Sequence, residues 1–109
     1  MATTYKVLGQ LAPSATTATT LYTVPAATQA VVSTIVICNR SAINDIFRIA
    51  IRVGGASLAV EDYVAYDVVV GAADSTALTL GITLGAGDII TVYAGTANLS
   101  FNAFGSEIA

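Results

Sequence analysis

Between residues 47 and 53 the chain reads Phe47-Arg48-Ile49-Ala50-Ile51-Arg52-Val53, large apolar side chains alternating strictly with Arg, Ala and Arg. A two-residue period fits an extended strand with one face in a core and the other toward solvent or a partner. Leu78, Leu80, Ile82 and Leu84 alternate in the same way with Ala77, Thr79, Gly81 and Thr83. Val and Ile dominate the other apolar runs, Thr is the commonest polar residue, and helix signals are nearly absent. This pattern predicts strands at Tyr5 to Leu11, Thr19 to Val24, Ala30 to Arg40, Asp45 to Val53, Tyr63 to Val70, Ala77 to Leu84, Asp88 to Ala94 and Leu99 to Phe104. Turn-forming segments such as Ala12-Pro13-Ser14, Pro25-Ala26-Ala27, Gly54-Gly55 and Gly85-Ala86-Gly87 separate them, and both prolines fall between strands. The expected fold is therefore all-β: a single-domain antiparallel β-sandwich of about eight strands over residues 1–109, built as a jelly roll or an immunoglobulin-like Greek key. Without tryptophan or paired cysteines, the sequence does not choose between the two.

Ile35-Val36-Ile37-Cys38 is apolar on both faces and reads as a central strand covered on both sides. Ile89-Ile90 and Val68-Val69-Val70 share that character more weakly. In a chain of 109 residues, the simplest second cover is another subunit. Charge points the same way. Only 10% of residues are charged while 55% are hydrophobic, against roughly 25% charged in an average soluble domain. A folded area on the order of 5,600 Å² then carries about one charge per ~500 Å², so much of the surface is expected to be covered in the working state. Cys38 reads as a small buried core thiol, and Ala15 to Thr20 as an ordered loop or strand start rather than a linker.

A net charge of −3 and a sequence pI near 4.3 provide no general attraction for nucleic acid or an anionic membrane. Neither partner is expected, and no apolar run is long enough for a membrane helix or a signal peptide core. There is no histidine, which removes the usual general base, the nucleophilic triads and the commonest metal ligand. Carboxylates Glu61, Asp62 and Asp67, or Asp74 with Asp88, could pair only through folding; Asp74 and Asp88 read more simply as caps on their own turns. Asn44-Asp45 lacks calcium-loop spacing, and Gly85-Ala86-Gly87 has neither the lysine nor the helix of a phosphate loop. No catalytic, metal or cofactor residue is therefore assigned, and an enzyme is not expected.

Arg40, Arg48 and Arg52 are three of the four basic residues, and Arg48 and Arg52 share strand parity and hence a face. One reading pairs them across strands with Asp45, Glu61, Asp62 or Asp67; the other makes them an interface that binds a partner's carboxylates. Tyr5, Tyr22, Tyr63, Tyr66, Tyr93, Phe101 and Phe104 read as core and interface packing or as a stacking platform for carbohydrate or bases.

Leu21-Tyr22-Thr23-Val24-Pro25-Ala26, the run from Val31 to Ser41, and the closing stretches Asp88 to Ala94 and Leu99 to Gly105 resemble small virion structural proteins of tailed bacteriophages, notably those infecting cyanobacteria. The resemblance covers nearly the whole chain, though no catalytic motif anchors it. It implies a non-enzymatic β-sandwich module located on the virion and assembled in the host cytoplasm. It also implies a homo-oligomer, a trimer in the decoration case, with the major capsid protein or tail proteins as partners. A capsid decoration or cement role leads. A tail, neck, fibre or baseplate component, and then a receptor- or glycan-binding module, are the alternatives.

Overall fold

In the computed structural model, which describes residues 2–109, the apolar runs form nine strands. They are β1 (Thr3–Leu11), β2 (Thr19–Thr23), β3 (Gln29–Asn39), β4 (Asp45–Arg52), β5 (Tyr63–Val70), β6 (Ser75–Leu78), β7 (Ile82–Leu84), β8 (Ile89–Ala94) and β9 (Leu99–Ile108). Pairing is antiparallel and concentric. β4 pairs with β5, β3 with β6 and β7, β2 with β8, and β1 with β9, as in one long hairpin rolled up on itself. Rolling adds two further seams, β9 to β3 and β8 to β4. The result is two packed sheets, one ordered β1-β9-β3-β6 with β7 also on β3, the other β2-β8-β4-β5. This is a jelly roll, and it resolves the choice between the two sandwich topologies. The accessible surface of 5431 Å² is close to the ~5,600 Å² expected for a compact chain of this mass.

The two sheets meet through their inward rows. Ile35 and Ile37 of β3, Phe101 and Ala103 of β9, Phe47 and Ile49 of β4, and Ile90 and Val92 of β8 are all within 1% of complete burial. Phe47 and Phe101 contact edge to face, ring centroids 6.3 Å apart at 76°, which joins the middle of one sheet to the middle of the other. At one end of this core the buried Asn39 serves as a clasp. Its amide donates to the carbonyls of Ile43 (2.8 Å), Val70 (3.2 Å) and Gly71 (3.1 Å), and its carbonyl accepts from the backbone and hydroxyl of Ser41. Carbonyls of two chain segments, at Ile43 and at Val70-Gly71, are thereby satisfied through one side chain. Glycine is required where β9 passes the β3 bulge. A Cβ on Gly105 would overlap the Val31 carbonyl.

Two strand expectations and two expectations of burial need correction. The predicted strand over Ala77 to Leu84 is two strands, because Gly81 adopts a left-handed φ of 66° and Leu80 swings out to solvent. Leu78 and Ile82 still face inward, in register with Ile35 and Val32. β4 stops at Arg52, since Val53 opens a 3₁₀ turn, Val53–Gly55, and is exposed rather than inward. The outward Ala50 is nonetheless buried, as is its register partner Thr91. The segment 53–62 carries two 3₁₀ turns that pack on β8 and β4, and Ile89 lies beside Gly55. The chain itself thus supplies part of the second cover that the sequence assigned to a subunit. Cys38 is half-buried on the outward side of β3, not in the core.

Phe47→Ala removes the ring that bridges the sheets and is expected to cost about 3–5 kcal/mol, read as a lowered midpoint in urea unfolding at constant slope. Asn39→Ala leaves buried carbonyls without donors and should cost about 1–3 kcal/mol in the same assay.

Candidate interaction surfaces

Outward rows on the β2-β8-β4-β5 sheet build an aromatic and cationic cluster. Arg48 of β4 pairs in register with Tyr93 of β8, and its guanidinium carbon lies 4.3 Å from the Tyr93 ring centre and 4.2 Å from that of Tyr66 on β5. Its Nε donates to Asp67 Oδ1 at 2.6 Å. Asp67 reaches that position because β5 bulges there, giving Asp67 a left-handed φ of 51°. The hydrogen bond from Arg48 to Asp67 raises the arginine above its ordinary value, burial works against it, and Tyr66 and Tyr93 add to the rise. Tyr63 meets Tyr66 edge to face at 4.9 Å, and with Val60 they line an open cleft of ≈470 Å³.

Of the three arginines named from the sequence, Arg48 and Arg52 share this outward face as their parity requires, and Arg40 lies at the opposite end from Arg52. Arg48 follows the cross-strand pairing with Asp67. Arg52 instead donates to the carbonyls of Gly55 (2.9 Å) and Ala56 (2.7 Å), holding the 53–62 segment, and Arg40 donates to the Ala97 carbonyl at 2.9 Å. Their fork geometry suits paired carbonyls as well as carboxylates.

Of the carboxylates considered as pairs, Asp62, Asp74 and Asp88 serve the backbone, and Asp67 serves Arg48. Asp88 accepts from the amides of Gly54 and Gly85, Asp74 from Ser75, and Asp62 from Ala59. Buried Asp45 accepts from Ile46, Thr96 and the Thr96 hydroxyl. Among the described residues no three His, Cys, Asp or Glu side chains gather as a metal site. Asn44 accepts from the Ala72 amide, tying the loop before β4 to the turn after β5.

The aromatics divide. Phe101 is core and Tyr22 is buried, whereas Tyr5 and Phe104 are exposed on the outward side of the β1-β9-β3 sheet. Sequence reading missed the link at the sandwich's edge. Tyr22 donates its hydroxyl to Glu107 at 2.5 Å, and Lys6 reaches the other Glu107 oxygen at 3.2 Å. Residues 22 and 107 are too distant in the chain for any local signal to connect them. No protein-family model matches the chain, and no curated protein shows significant similarity to it.

Tyr22 and Glu107 shift in opposite directions. The Tyr22 hydroxyl, with a lesser contribution from Lys6, holds the Glu107 carboxyl below its ordinary 4.5 despite burial. Burial first, then Glu107, pushes Tyr22 far above its ordinary 10.0. A depressed carboxyl adds stability above its unfolded value and loses it as pH falls through the folded one; a raised phenol adds stability below its unfolded value and loses it as pH rises. Thermal unfolding followed against pH is thus expected to weaken below about 4.5 and above about 10, the unfolded-state values of the two groups. Glu107→Gln should flatten the acid limb and Tyr22→Phe the alkaline limb.

Proposed function

We propose that the chain is a non-enzymatic virion structural protein, a decoration or cement module that stabilises a capsid through many repeated contacts. The observation that carries this reading is the amount of large apolar side chain left exposed on both outward sides of the sandwich: Tyr5, Val7 and Phe104 on one, Val60, Tyr66 and Val69 on the other. Patches of this kind on a small, sparsely charged domain mark surfaces that are covered in use. A module with two such sides suits bridging neighbours in a lattice, where stability of the particle is the activity. The resemblance to phage virion proteins supports the same reading, as does the jelly roll, a fold recurrent in capsid proteins, although fold alone assigns no function.

In this proposal the Arg48 cluster faces the capsid partner. Stacked between two tyrosines, Arg48 is a pre-organised flat surface whose Nη donors make no hydrogen bond among the described residues, which leaves them for a carboxylate of the partner. The cleft of Val60, Tyr63 and Tyr66 favours a second reading, a sugar-stacking module.

The test is co-sedimentation of the purified chain with particles stripped of it, followed by heating with a DNA-binding dye. Saturable binding and a higher genome-release temperature are expected, both reduced in Arg48→Ala and Tyr66→Ala variants that unfold cooperatively. Failure to bind particles, combined with retention on immobilised glycans, overturns the cement role in favour of the sugar-binding one.

A further inference from the structure

The β1-β9-β3-β6 sheet, with β7 beside β3, turns toward solvent a face built of uncharged residues. In register across the strands the outward rows are Tyr5, Ser106, Val31 and Thr83, then Gln10, Asn102, Val36 and Ala77. Val7 and Phe104 pair between them, and Ser100, Cys38 and Ser75 close one end. Lys6 and Glu107, the charged members of these strands, lie in the inward rows with Val32 and Ala30. The chain's remaining charges sit on the other sheet or in loops. Several polar groups on this face are already matched: Gln10 Nε2 donates to Asn102 at 2.7 Å, Ser33 to the Phe104 carbonyl at 3.0 Å, and Thr34 and Thr79 hydroxyls lie 3.3 Å apart. Covering those pairs costs less than burying unmatched groups, and the hydroxyls of Tyr5, Ser100, Ser106 and Thr83 are left to hydrogen-bond across the contact. The opposite sheet has its own 53–62 segment folded over it, so the two sides are not equivalent.

We infer that this face packs against the same face of a second copy of the chain, forming a two-fold dimer. Two properties select that occupant. A face without charge offers nothing to steer or select an oppositely charged partner, yet meets its own image under a two-fold axis with no like-charge contact. Its size also suffices. Four strands ~4.8 Å apart and ten residues of ~3.4 Å rise span about 600 Å² in projection. Side-chain relief brings that near the ~800 Å² per partner typical of stable complexes. Tyr5 and Val7 on the edge strand β1, with Phe104 and Val31 on β9 and β3 beside them, form the apolar part of the contact, and the dimer presents its two Arg48 clusters outward on opposite sides. The inference takes up the homo-oligomer that the resemblance implies and does not depend on the particle of the proposed function; it replaces the three-fold symmetry expected there with a two-fold contact.

Sedimentation equilibrium of the full chain over a concentration series tests it. The wild type is expected at twice the 11.0 kDa chain mass, with Val31→Glu weakening association about a hundredfold, because each dimer then buries two unpaired carboxylates. Tyr5→Glu, at a side chain 84% exposed and so free of folding cost, should weaken it in the same direction. Val69→Glu on the opposite sheet should leave it unchanged. A wild-type monomer or trimer, a dimer indifferent to both Val31→Glu and Tyr5→Glu, or one broken by Val69→Glu overturns the inference. The particle assay fails separately: a dimer that ignores capsids contradicts only the cement role, and a monomer that binds them contradicts only the dimer.

Discussion

Everything in this molecule is arranged around the contact between Phe47 and Phe101. These rings come from the middle strands of opposite sheets, and their edge-to-face meeting is the point where the rolled hairpin closes. Strand pairing alone makes two half-buried sheets, and neither is stable with its apolar row in water. The Phe contact and the Ile and Val rows beside it convert the two sheets into one core. That core then fixes which residues are left outside. Register follows from it too, because a one-residue slip in β4 would carry Phe47 and Ile49 out and Arg48 in.

Most of the strands could be read from the chain because their signals are local. The alternation at Phe47 to Arg52 sets the burial of β4, and the two-sided run Ile35 to Cys38 marks β3 as central, flanked by β9 on one side and β6 and β7 on the other. Parity placed Arg48 and Arg52 on one face, and turn composition made caps of Asp74 and Asp88. What escaped depends on distance in sequence. A jelly roll and an immunoglobulin-like sandwich show the same local strand signals, and what separates them is which strands pair, above all β1 with β9 and β2 with β8 across most of the chain. The Tyr22 and Glu107 link and the Asn39 clasp are equally non-local. Gly81 was visible as a glycine, but alternation around it outweighed its left-handed preference in the reading of one long strand. The 53–62 segment shows no strong apolar pattern, so its packing on β4 and β8 had no sequence signature.

The outer surfaces carry the functional argument, and they differ in kind. One sheet presents charge held in place: Arg48 clamped by Asp67 and two tyrosines, beside an apolar cleft. The other presents a broad neutral face, with part of its polar groups hydrogen-bonded among themselves. A pre-organised cation is a device for recognising a different molecule, whereas a neutral face tolerates its own copy. A sandwich with one of each is suited to joining a copy of itself on one side and a lattice on the other. The low charge count that first suggested a covered surface is thus distributed unevenly, and the uneven distribution is informative.

A cryo-electron map of the assembled particle is the most direct measurement of this account. It predicts ordered jelly rolls on the capsid lattice, in pairs related by a local two-fold axis, with Val31 and Phe104 buried between copies and Arg48 against a capsid carboxylate. Copies that stand singly with the β1-β9-β3 face in solvent, or density confined to the tail, would contradict it.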